Sequence, residues 1–146
     1  MKAWILKLAG SLQWLSPRSR RRADETRRAQ LEQIEAIYQS APVGLCVLDG
    51  DFRYVRVNER LAQINGAPVA GHVGRTVREV VPHLADGIEA LGRQVMSTGQ
   101  PVLNLEFLGS RIPQSGKTRM GVTHWMPLKG PDGRVAGLSI VVDDIT

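Results

Sequence analysis

Residues 43–62 read VGLCVLDGDFRYVRVNERLA, and the pattern changes three times within that stretch. Val43 to Leu48 is an apolar run rich in branched side chains, bounded by Pro42 and by Asp49-Gly50, which is how a buried strand is written. Asp49-Gly50-Asp51 supplies a tight turn, because Asp-Gly tolerates positive φ. Phe52 to Val57 then alternates apolar with basic residues, as a half-exposed strand does. The two runs together predict a β-hairpin. Asn58 follows as a good N-cap for a short helix that ends at Asn65-Gly66.

Working toward the C-terminus, Thr76 to Val81 predicts another short helix before Pro82. Leu84 to Thr98 predicts the main helix of the domain, with Leu84, Ile88, Leu91 and Val95 at helical spacing and Gly99 as its C-cap. Three strands complete the pattern: Val102 to Leu108, Thr118 to Leu128, and Val135 to Val142 after the turn Lys129-Gly130-Pro131-Asp132-Gly133. Two strands, several short helices and three more strands give an α+β domain with a five-stranded antiparallel sheet. At 146 residues and 42% hydrophobic content the chain can bury one core. Its single cysteine, Cys46, excludes an internal disulfide and a clustered-cysteine metal site. That cysteine count fits a reducing, cytoplasmic setting.

Working toward the N-terminus, the charge is unevenly placed. Residues 1–30 carry eight basic side chains against Asp24 and Glu25, while the rest of the chain holds eleven basic and twelve acidic residues. The net charge of +5 is therefore a property of the arm. Residues 1–15 read as an amphipathic helix with Met1, Trp4, Ile5, Leu8, Leu12 and Leu15 on one face. As a helix they reach about 22 Å, short of a hydrocarbon core of roughly 30 Å. Lys7 interrupts the run and no small-residue cleavage site follows, so neither a membrane span nor a signal peptide is predicted. Trp4 and Leu8 with Arg20, Arg21 and Arg22 suit an anionic membrane surface, each basic residue contributing about 1 kcal/mol. The same apolar face could instead pack on the domain or on a second copy. Nucleic acid is disfavoured, because no groove-reading motif accompanies the arginines.

A second helix is predicted from Asp24 to Gln39, where Leu31, Ile34, Tyr38 and Ala41 follow the three-then-four spacing of a coiled-coil seam. Dimerisation through Leu31, Ile34 and Tyr38 is one reading; a helix packed along its own domain is the other. The expected organisation is a basic amphipathic arm at 1–23, a signalling or dimerisation helix at 24–40 and a folded domain at 41–146.

Over residues 31–146 the chain resembles the PAS family. Ala41-Pro42-Val43-Gly44 with Asp49-Gly50-Asp51 is similar to the family's first hairpin, and Asn58, Ala62 and Gly66 resemble the asparagine-led helix after it. Ser97-Thr98-Gly99-Gln100-Pro101 resembles the exit of the long helix. Pro131-Asp132-Gly133-Arg134 with Gly137 resembles the last hairpin. Asp143-Asp144-Ile145-Thr146 resembles the Asp-Ile-Thr with which such domains pass into an output helix. The resemblance implies the PAS fold, with short helices and one long helix on one face of the sheet and a helical arm before it. It also implies a pocket between sheet and helices, used in the family for haem, flavins, small organic acids or nothing.

No ligand identity is implied by the residues. The cysteine-carrying Asn-Cys-Arg-Phe-Leu-Gln pattern of photoactive flavin members is replaced here by Gly74-Arg75-Thr76-Val77-Arg78-Glu79, which disfavours a cysteinyl-flavin. Haem is disfavoured too, since Asp86-Gly87-Ile88 stand where the haem sensors carry histidine. His72, His83 and His124 share no metal-ligand spacing, so no metal site is expected. The candidate pocket residues are Cys46, Asn58, Leu91, Val95, Met120, Val122, His124, Met126 and Ile140. Strand alternation puts Met120, Val122, His124 and Met126 on one face of the long strand and Gly121, Thr123 and Trp125 on the other. Periodicity alone leaves open which of the two is inside.

No nucleophile elbow, phosphate loop or clustered acid pair is present, and the chain is read as non-enzymatic. The expected function is a sensor that relays through Asp144-Ile145-Thr146 or the 24–39 helix to an effector or partner protein. A histidine kinase or a cyclic-dinucleotide enzyme would be typical. The alternative is a ligand-free dimerisation or membrane-attachment domain in which the arm carries the function.

Overall fold

The computed structural model describes residues 16–112 and 114–146. Trp4 and Leu8, the apolar half of the expected membrane contact, lie outside the described residues. The chain divides into two units between Ile37 and Tyr38.

Helix α1 (Pro17–Ser40), whose residues to Ile37 belong to the first unit, starts seven residues before the predicted Asp24. The reason is local. The Ser16 hydroxyl accepts the backbone N–H of Ser19 at 3.1 Å, and Pro17 takes the first helical position, where its missing N–H costs nothing. Arginine is a good helix former, so Arg20, Arg21 and Arg22 belong to this helix and are exposed on it. No residue of α1 is buried, and Leu31, Ile34 and Ile37 are 57–63% exposed. Among the described residues no helix is long and apolar enough to cross a membrane.

In the second unit the predicted hairpin forms from β1 (Gly44–Asp49) and β2 (Tyr54–Val57). The turn differs from the expectation in one respect. Asp49 accepts the backbone N–H groups of Asp51 and Arg53 at 2.8 and 3.0 Å, while the positive φ falls on Phe52 and not on Gly50. A phenylalanine tolerates that conformation because its ring is held in the core.

Helix α2 (Glu59–Asn65) is capped by Asn58 as predicted and ends at Gly66. Helix α3 (Val77–Val80), capped by Thr76, and the longer α4 (Ala85–Thr98), closed by Gly99, follow. Strands β3 (Val102–Arg111), β4 (Thr118–Lys129) and β5 (Val135–Asp144) complete one antiparallel sheet in the order β2-β1-β5-β4-β3.

β5 is the centre of this sheet. Its register places Ile140 opposite both Cys46 and Trp125, and Leu138 opposite Leu48 and Pro127. Leu48, Leu138, Val57, Val77 and Val95 are buried to within 2% of completely, each contributing about 1.5–3 kcal/mol of apolar burial. Helix α4 packs on β5 and β4.

Candidate ligand-binding site

The β4 register decides which of its faces is inside. Trp125 lies opposite Ile140 and Thr123 opposite Val142, so Gly121, Thr123 and Trp125 are buried facing the helices. Met120, Val122, His124 and Met126 lie on the outer face, away from the pocket they were expected to line, with Met120 and Met126 over two-fifths exposed. The less apolar set goes inside for two physical reasons. Trp125 has the largest surface to bury, and Thr123 needs no water. Its hydroxyl accepts the Trp125 indole N–H at 2.9 Å and donates to the Leu105 carbonyl at 3.2 Å.

Between this inner face and the helices lies a cavity of about 710 Å³, within the range of small-molecule sites. Its floor is Cys46, Thr123, Trp125 and Ile140. Its helical wall comes from Leu61 and Ile64 on α2 and from Ile88 and Leu91 on α4, and its outer rim from Leu105, Phe107, Arg111 and Arg119. Of the expected pocket residues, the structure brings Cys46, Leu91 and Ile140 together here. Val95 is fully buried in the core without facing the cavity.

Asn58 does not line the cavity either; it is a structural knot. Its side-chain oxygen accepts from the backbone N–H of Leu45 and Leu61 at 2.9 and 3.0 Å. Its amide donates to the carbonyls of Tyr38 and Val43 at 3.0 and 2.9 Å. All four hydrogen-bonding positions of the side chain are thereby used, fastening β1 to the start of α2.

The polar groups of the cavity are few. Burial pushes the Cys46 thiol up to about 12, so it stays protonated and acts as a small apolar wall. Burial, with Cys46 beside it, also raises the Tyr54 phenol well above its ordinary range, partly opposed by a hydrogen bond with Asn65. Asn65 reaches His72 Nε2 at 3.1 Å, and His72 Nδ1 lies 2.8 Å from the Pro68 carbonyl. A carbonyl can only accept, so the proton sits on Nδ1 and Nε2 accepts from the amide. The His72 ring stands edge-on to Tyr54, centroids 5.1 Å apart, and is a packing group. His83 lines the cavity, whereas His124 accepts the Asn104 N–H at 3.2 Å on the outer face. Among the described residues no group of three or more His, Cys, Asp or Glu could hold a metal ion.

One ionic cluster borders the cavity. The carboxylate of Asp144 pairs with Arg119, has Arg60 at 3.8 Å, and accepts the Thr146 hydroxyl and backbone N–H. Burial alone would raise its pKa, but the Thr146 hydrogen bonds and the two arginines hold it below the ordinary carboxylate range. The Thr146 hydroxyl oxygen also accepts the Met120 backbone N–H at 2.9 Å, which latches the last residues onto β4.

Arg111, Arg119 and Trp125 line the cavity without being among the expected pocket residues, because the inner face of β4 is decided by its partner strands. In the sheet register Phe107 lies opposite Gly121, a large-to-small pairing on the inner face.

Comparison with known proteins places this geometry. Residues 38–146 match a family described as PAS fold. The VqmA structure bound to DPO aligns with a TM-score of 0.68 at 20% identity, covering 79% of this chain and 57% of VqmA. The Vibrio cholerae VqmA dimer without target DNA gives 0.68 at 21%, covering 80% and 51%, so the chain spans about half the length of these relatives. A sensory box sensor histidine kinase from Vibrio cholerae aligns at 0.59 and 17% identity, covering 86% of this chain and 98% of its own. The PAS domain of Bordetella pertussis BvgS aligns at 0.61 and 23%, covering 81% and 88%.

Proposed function

The chain belongs to the PAS fold family, and we propose that this sensory domain is a non-catalytic module that takes up a small, largely apolar molecule and relays its occupancy to an effector. The observation that carries the reading is the 710 Å³ cavity between the sheet and helices α2 and α4. A space of that size with apolar walls and a few convergent polar groups is what a small-molecule site requires. VqmA, which shares the fold, has been solved bound to DPO, and this supports a ligand in such a space without naming the one here.

The relay needs only that the ligand bind two arrangements unequally. Arg119 supplies a physical link, since it lines the cavity and also pairs with Asp144 beside the terminal Ile145-Thr146. The effector would be reached through that end of the chain or through α1.

Native mass spectrometry of the chain, isolated under mild conditions, tests the proposal. We expect added mass that is released on denaturation, and Leu91→Trp, which fills the cavity, to abolish it. A chain that never carries added mass, and whose thermal midpoint no apolar metabolite moves, would sink the reading.

A second reading, dimerisation, is favoured by α1. Leu31 and Ile34 of the expected seam are each more than half exposed, as is Ile37, which was not part of that seam, while Tyr38 is half-buried; the exposed three form an apolar stripe. The VqmA comparison structure is itself a dimer. Sedimentation of the wild-type chain and of Leu31→Glu/Ile34→Glu decides it: the expected result is a dimer that the double substitution converts to monomer.

A further inference from the structure

The charge on the cavity wall is one-sided. Arg111 and Arg119 line it, and no aspartate or glutamate among the described residues does. Arg119 already has Asp144 as a partner. Arg111 has no carboxylate among the described residues; its Nε donates to the Gly116 carbonyl at 2.8 Å, which leaves its terminal nitrogens to be used at the rim. Deeper in, Ile88, Leu91 and Trp125 offer only apolar surface and Thr123 spends its hydrogen bonds internally. A ligand complementary to this wall is negative at one end and apolar along the rest, because a guanidinium fork matches a carboxylate bidentately.

We propose that the cavity binds an organic carboxylate with a sizeable apolar body, its acid group held by Arg111 and Arg119. This rests on the reading that the cavity takes a ligand at all. It adds a consequence: a carboxylate at Arg119 competes with Asp144 for the same guanidinium. The latch that Asp144 and Thr146 form on β4, with the Thr146 hydroxyl donating to Asp144 and accepting the Met120 N–H, is then loosened by occupancy, which connects binding to the C-terminal residues.

Calorimetric titration of the 146-residue chain with decanoate and with decanol separates head group from tail. Decanoate should bind at least roughly tenfold more tightly, as expected for hydrogen bonds to a charged group. Arg111→Gln, at an exposed position, should reduce the difference to about threefold or less, leaving decanol unchanged. Equal affinities for the two probes, both lost in Leu91→Trp, would overturn the carboxylate and leave the apolar ligand site standing. Binding of neither probe overturns both. Retention of the full decanoate preference in Arg111→Gln and in Arg119→Gln also overturns the assignment of the acid group to these arginines.

Discussion

On the β2–β1–β5 side of the sheet the inner face is closed: Leu48, Val57 and Leu138 are within 2% of fully buried. At the β3 edge the same face opens onto the cavity rim, with Leu105 39% exposed and Phe107 only partly covered. Both sides carry apolar inward residues, so hydrophobicity does not distinguish them. The difference is what lies above each. Helix α2 contacts β1, and α4 rests on β5 and β4, while the outer strand contributes its inward side chains to a cavity rim. A fold of this kind holds its frame on one side and leaves binding surface on the other, and substitutions on the two sides should behave differently.

The largest effect is expected where strands approach most closely. A Cβ at position 137 would overlap the backbone carbonyl oxygen of Leu48 on the neighbouring strand, and neither backbone can move without breaking the β1–β5 ladder. Gly137→Ala should therefore cost about 3 kcal/mol or more, read as a lower urea midpoint with an unchanged slope. A loss below about 1 kcal/mol would show that this side is less rigid than its burial implies. Asn58→Ala comes next. It leaves two N–H donors and two carbonyls of the β1–α2 junction without their partners, and about 2–4 kcal/mol should be lost.

Asn58 also marks how far the sequence could be read. As a helix cap it is legible, because capping is a local matter of one oxygen and the amide three residues on. Its four-way knot is not, since Tyr38 and Val43 reach it through the chain's return path. The strands and short helices were legible on the same local ground. Helix α1 begins seven residues before the Asp24 that its apolar pattern indicates, because Ser16 caps it and the arginine run is helix-forming as well as charged. The inner face of β4 is illegible for a different reason, and the four candidate pocket residues on that strand fall on the outer one. Met120, Val122 and Met126 are the more apolar set, and only pairing with Val142 and Ile140 turns Thr123 and Trp125 inward. Faces of a strand are decided by its neighbours. Cys46, Leu91 and Ile140, each on an element whose burial had one reading, do meet at the cavity.

The ionic cluster that borders the cavity should show itself as acid sensitivity. The Asp144 carboxyl is held below its ordinary value of about 4. Its contribution to stability is therefore fully present above that ordinary value and is lost as pH falls through the lower folded-state value. Asp144→Asn should cost about 1–2 kcal/mol near neutrality and should flatten the stability profile below pH 4 relative to wild type. If both chains lose stability in parallel as the pH is lowered, Asp144 is not the group being titrated, and the coupling between rim and terminus loses its main support.

The smallest effect on stability is the most informative for the contrast. Leu138→Ala on the closed side should cost about 2–5 kcal/mol, because it opens a void that packed neighbours cannot fill. Leu105→Ala on the open side removes the same atoms from a side chain that is already two-fifths in water, and about 1 kcal/mol or less should be lost. The same substitution takes away part of the cavity rim, so affinity for an apolar probe should fall while the denaturation midpoint hardly moves. Equal destabilisation at the two positions would mean that the β3 edge closes in solution, and the cavity would then have to be sought as a transient opening. A small stability change with a clear loss of binding would establish that the exposed leucine serves the ligand and not the core.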